Sequence, residues 1–126
     1  MKALTGPVAR ILYGLPLVVF GINHFRITGM LEGLVWLPGG AFWVYLTGIA
    51  LILAALAFIT KMYVVPAAYA LAVFLLLTGL TVHLPSWIGG NAGSLSPMLK
   101  DLMLAGAALY FAGKFQEEQG DVTEAL

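Results

Sequence analysis

The stretch FWVYLTGIALILAALAFITKMYVVPAAYALAVFLLLTGLTVH, residues 42–83, places one full charge, Lys61, between two long apolar runs. A helix needs about 20 residues, each rising about 1.5 Å, to cross about 30 Å of hydrocarbon. Phe42 to Thr60 and Tyr63 to His83 both approach that length. A turn made only of Lys61 and Met62 requires them to be adjacent and antiparallel, so the stretch predicts a helical hairpin in a membrane.

Outward from this hairpin, Val8 to His24 and Pro97 to Phe115 supply two more runs. The predicted fold is all-α: a four-transmembrane-helix bundle of antiparallel up-down topology, one domain over residues 1–115, with 116–126 as an acidic tail. Composition agrees, since 61% of the 126 residues are hydrophobic and 10% charged, a balance suited to lipid as solvent. The net charge of zero argues against a nucleic-acid partner. Without cysteine there is no disulfide exchange, thiolate metal site or Cys-ligated cluster. The first run ends in GINHFRITG, lacks an A-x-A cleavage pattern and is read as a retained span.

Local punctuation supports the boundaries. Pro7, Pro66 and Pro97 fall in first turns, Ser96 is a candidate N-cap, and LPGGAF opens the second span. Pro16 lies inside the first span, where a kink is expected. Lys2, Arg10, Lys61 and Lys114 fall on the side of the N-terminus, and Arg26 and Lys100 on the other. The positive-inside rule then makes both termini cytoplasmic, in a multi-pass protein of a cytoplasmic (inner) membrane. Phe25–Ala41 and Leu84–Ser96 are the long outer connections. The first of them, GMLEGLVWLP, is apolar apart from Glu32 and is expected to form an interfacial or re-entrant segment. Trp36, Trp43 and Trp87 belong to that outer boundary.

Helices in lipid associate through close approach of small residues. Gly14 and Gly21 on the first span, Thr47, Ala50, Ala54 and Ala57 on the second, Ala68, Ala72 and Gly79 on the third, and Ala105, Ala108 and Ala112 on the fourth are the expected inward stripes. Exposed Gly106 and Gly113 leave room for a homodimer. His24 follows Gly21 by three residues, His83 follows Gly79 by four, and Asp101 precedes Ala105 by four. Each therefore continues a stripe. The pattern predicts a polar pocket in the outer half of the bundle, where these three meet with Asn23, Tyr45 and Thr47 at its border. Lys100 points about 100° away from Asp101 and is expected to snorkel to the surface.

Each residue also has a plain structural role: His24 or Asn23 as a cap, His83 as an interface residue, Asp101 as a favourable charge in a first helical turn. Convergence is what favours a ligand. Two histidines on separate helices suit an axial haem, or a divalent metal with Asp101, but no H-x-x-x-H or E-x-x-H spacing supports a metal and the small-residue stripes leave little room for haem. A neutral ligand with carbonyl or hydroxyl ends, such as a quinone, fits better. No nucleophile with its base, phosphate loop or dinucleotide fingerprint is present to define catalysis.

ILYGLPLVVFGINHF, LPGGAFWVYLTGIALILAALAFIT, TVHLPS and MLKDLMLAGAALYFAGK together resemble the DoxX and DoxX-like family of small four-helix membrane proteins, over nearly the whole chain to Lys114. The resemblance implies a four-helix bundle with cytoplasmic termini. It also makes His24, His83 and Lys100 with Asp101 recurring polar positions. Members of that family serve as subunits of quinone-linked oxidoreductases or as receptor-assembly chaperones. The expectation is an accessory subunit of a redox complex that binds a quinone or lipid-like ligand, with redox-enzyme subunits and the bilayer as partners. A non-enzymatic assembly protein is the alternative.

Overall fold

The structure, a computed structural model, describes residues 2–26, 29 and 38–125, with side chains through residue 118. Among the described residues it is all-helical, built on four long helices: α1 (Leu4–Arg26), α2 (Gly40–Thr60), α3 (Val64–Ile88) and α4 (Leu95–Ala125). The first three are long and apolar enough to cross a membrane, as a multi-pass membrane protein requires. Helix α4 also carries Lys100, Asp101 and Lys114, which dilute its apolar character. The predicted interfacial segment, with Glu32 and Trp36, falls largely on residues 30–37, outside the described residues.

The chain divides into two compact units, Met1–Tyr63 and Val64–Leu126. In the first, α1 and α2 pack antiparallel, because pairings climb α1 as they descend α2. Arg10 meets the carbonyls of Phe58 and Ile59, Gly14 faces Ala55, Gly21 faces Gly48, and Phe25 stacks on Tyr45 with ring centroids 5.5 Å apart. Glycine is what permits this approach. A methyl on Gly21 would lie 2.6 Å from Ile52 Cγ1 and 2.9 Å from the Gly48 carbonyl oxygen, closer than any carbon can sit. Gly14, Leu17 and Gly21 are the buried positions of α1.

On α2 the expected stripe is shifted. Ala54 is buried, but Ala50 is exposed and Thr47 and Ala57 are only half-buried; the buried line runs through Val44, Gly48, Leu51, Ala55 and Phe58. Its phase is set by Gly48 against Gly21 and by Phe58, fully buried against the Tyr13 ring at 4.9 Å. Small size alone, without the large residues that share the face, misplaces the stripe by one position.

Both ends of α2 are built locally. Gly39, at φ 80°, starts the helix by giving its carbonyl to the Phe42 N–H at 2.8 Å, and the Trp43 indole donates to Pro38 O at 2.9 Å. At the other end Lys61 adopts the left-handed conformation and its N–H returns to Ala57 O. Arg10 adds a cap from outside the helix: Nη1 donates to Phe58 O at 2.9 Å and to Ile59 O at 3.2 Å, placing a cation on the negative end of the helix dipole. Arg10→Met should therefore lower thermal stability by about 1 kcal/mol, measured by unfolding in detergent, with Arg10→Lys retaining part of the loss.

The second unit pairs α3 with α4, also antiparallel: Tyr69 O–H donates to Gln116 Oε1 at 3.0 Å near one end, and Thr78 and His83 meet Asp101 toward the other. Ala68, Ala72, Gly79, Ala105, Ala108 and Ala112 are all buried, as their stripes predict.

Helix α3 does not stop at His83. It passes through a π turn, Gly79–His83, and continues as Leu84–Ile88. The wider turn explains how Pro85 is accommodated, since a proline ring in a regular helix collides with the carbonyl four residues back and lacks the N–H to bond it. The first five residues of the predicted Leu84–Ser96 connection, Leu84–Ile88, are thus helical. Its remainder closes through Gly90, at φ 107°, and a 3₁₀ turn, Ala92–Ser94, capped by Asn91 Oδ1 accepting from the Gly93 N–H at 3.1 Å. Asn91, rather than Ser96, is the cap; Ser96 lies one residue inside α4.

Two other helix ends differ from expectation. Helix α1 begins before Val8, with Pro7 held in a π turn, Leu4–Val8, and runs through Pro16 unbroken. Helix α4 continues past Phe115 into the acidic tail, where Gln116, Glu117 and Glu118 are strong helix formers.

Candidate functional site

The polar cluster of the second unit is organised around Asp101, which is 5% exposed. Its Oδ2 accepts from the Thr78 hydroxyl at 3.0 Å and lies 3.4 Å from His83 Nε2; its Oδ1 lies 3.7 Å from Lys100 Nζ. A hydroxyl, an imidazole and an ammonium thus converge on one buried carboxylate. A carboxylate inside a helix pair is costly unless such groups compensate it.

The π turn builds this site. Thr78 and His83 are five residues apart, a spacing that a regular α-helix rotates onto different faces and an i→i+5 turn brings into line. Next to Thr78, Gly79 faces Asp101 across the helix pair: a methyl there would sit 3.5 Å from Asp101 Cβ, an ordinary packing contact. Beyond His83, the Ser94 hydroxyl donates to the Ser86 hydroxyl at 2.8 Å, tying the 3₁₀ turn to α3. Ser94 is itself buried. The polar face of α3 therefore runs from Thr78 past His83 to Ser86.

Of the predicted site residues, His83, Asp101 and Lys100 come together. The Lys100 stem is exposed, as expected of a snorkelling lysine, but its ammonium returns to Asp101. His24, Asn23, Tyr45 and Thr47 belong to the first unit. There the His24 ring nitrogen Nδ1 lies 2.7 Å from Phe20 O, one turn back on its own helix, and its Cβ packs on Gly48. Phe20 O lies inside the helix and not in its last turn, so this contact is not a C-terminal cap. Tyr45 stacks on Phe25, while Asn23 and Thr47 are half-buried.

Thr78, on Asp101, and the Ser86–Ser94 pair beyond His83 are the polar contacts of this region that sequence periodicity misses. Regular 3.6-residue phasing from Gly79 selects His83 and passes over Thr78. The one signal for it is Pro85, which a widened turn upstream helps a continuing helix to accommodate. Among the described residues, no three His, Asp or Glu side chains are grouped to hold a metal ion.

The fold and the cluster define an all-helical protein of the membrane class with a buried, hydrogen-bonded carboxylate between two helices. No family model matches the chain, and no curated protein or solved structure matches it either.

Proposed function

We propose that the chain is a DoxX-like membrane protein that binds a quinone or a similar ligand with a carbonyl or hydroxyl head at Asp101, His83, Thr78 and Lys100, as an accessory subunit of a redox complex. In this reading α4 is the fourth span, the four helices form an up-down bundle, and both termini are cytoplasmic. The observation that carries it is the burial of Asp101 with a hydroxyl and an imidazole on the same carboxylate oxygen. Such an arrangement is an expected feature of intramembrane sites and a rare one elsewhere in lipid-facing helices.

The donor set fits the head group. Imidazole, hydroxyl and ammonium donate to a carbonyl, and a carboxylate accepts from a hydroxyl. When bound, a quinone supplies a two-electron, two-proton carrier. This chain's own residues position its head and hold protons beside it, at His83 and Asp101. Reducing equivalents come from a partner subunit.

The test is mass spectrometry of organic extracts from protein purified in mild detergent. A quinone or quinone-like lipid in near-stoichiometric amount is expected. Fully helical protein that carries no such molecule, and takes none up when quinone is added, would remove the proposal. Reporter fusions at either terminus check the topology separately, both reading cytoplasmic.

A further inference from the structure

A groove of about 530 Å³ runs along the first turns of α4. Among the described residues its polar lining is Ser96 and Lys100, and its apolar lining is mainly Leu95, Leu99, Met103 and Leu104. The volume is in the range of sites that hold small amphiphiles. Its chemistry is divided: an ammonium and a hydroxyl lie within one turn of each other, and aliphatic side chains flank them toward the middle of the helix. Leu99 and Met103 are well exposed, at 48% and 75%, on a chain whose other long helices are apolar enough to sit in a bilayer.

We infer that this groove seats an anionic phospholipid, with its phosphate on Lys100 and Ser96 and an acyl chain along Leu99, Met103 and Leu104. Charge complementarity selects this occupant. Lys100 is the groove's one cation among the described residues; buried Asp101, 3.7 Å away, offsets part of its charge, while the exposed side of the ammonium faces the surface where a lysine attracts anionic headgroups. A second span packed here would instead have to bury the ammonium against lipid or apolar side chains. An ammonium has three donors, so it can face the lipid phosphate while remaining beside Asp101 Oδ1. The groove is therefore coupled to the Asp101 cluster through one side chain, although its occupant is a different molecule from the ligand proposed there.

The experiment is native mass spectrometry of the full chain, delipidated and titrated with phosphatidylglycerol or phosphatidylcholine of the same acyl composition. Phosphatidylglycerol should be retained about fivefold better, the preference expected of one interfacial lysine. Lys100→Gln should erase the preference without changing helicity, because the side chain is largely exposed. Leu99→Trp, which fills the groove, should reduce retention of both lipids. Inorganic phosphate, which lacks chains, should not displace bound phosphatidylglycerol. Equal retention of the two lipids by the unmodified protein, an undiminished preference in Lys100→Gln, or displacement by phosphate alone would each overturn the inference. Asp101→Asn separates the two proposals: it should remove the quinone-like ligand and, by taking away the acidic neighbour of Lys100, leave the lipid preference at least as strong.

Discussion

Gly21→Val should separate α1 from α2 and lower the stability of the protein by about 1–3 kcal/mol, the usual cost of forcing extra carbon into a packed contact. Even a single methyl at this position meets Ile52 at 2.6 Å and the Gly48 carbonyl at 2.9 Å. Ile52 can rotate away, but a backbone carbonyl can yield only if the helices move apart. Gly48→Val should act similarly, because a methyl there meets Gly21 O at 3.0 Å, Phe25 Cε2 at 2.9 Å and His24 Cβ at 3.0 Å. Gly106→Val is the control. No atom lies within 4 Å of a methyl at that position, so its midpoint should stay near that of the unmodified protein. Thermal or denaturant unfolding in one detergent, followed by circular dichroism, provides the comparison.

Asp101 carries the second large effect, and two substitutions divide it into parts. Asp101→Ala leaves the His83 imidazole without its carboxylate, while the Thr78 hydroxyl still has Leu75 O as acceptor at 3.1 Å, and should cost about 1–3 kcal/mol for the polar group that loses its partner in a poorly solvated site. Asp101→Asn keeps an oxygen for Thr78 to donate to and removes the charge. Its fold should be close to native, and its ligand occupancy should fall at least about tenfold, the consequence of losing one charge-assisted interaction worth about 1.5–3 kcal/mol. Thr78→Ala should fall between, since interhelical hydrogen bonds in membranes contribute about 0.6 kcal/mol on average. If Asp101→Asn binds ligand as well as the unmodified protein, the carboxylate has a structural role only.

Much of this architecture can be read from residue order. Two apolar runs separated by Lys61 and Met62 announce α2 and α3, and Gly14 and Gly21 mark the face of α1 that meets its neighbour. Asp101 falls on the right face because simple phasing works on α4, and His83 does so because a step of four residues stays close to one turn, even through the π turn Gly79–His83. Where phasing fails, the cause is physical. The π turn at Gly79–His83 changes the angular step, which hides Thr78, and carries the helix on through the first five residues of a predicted loop. The stripe of α2 depends on Phe58 and Gly48 together, and a count of small residues sees only half of that pair. Arg10 capping the end of α2 joins residues 48 positions apart, a contact that no local pattern contains. His24 continues the glycine stripe as predicted, with its Cβ against Gly48, and its ring also reaches a carbonyl of its own helix.

The measurement that bears most directly on the proposed ligand site is photolabelling with a quinone carrying a photoreactive group, followed by peptide mapping of the full chain. Label on peptides that contain Gly79–Ile88 and Leu95–Met103, diminished in Asp101→Asn, is the predicted result. Label confined to peptides of α1 and α2, or unchanged by Asp101→Asn, would contradict the assignment of the site to Asp101 and its partners.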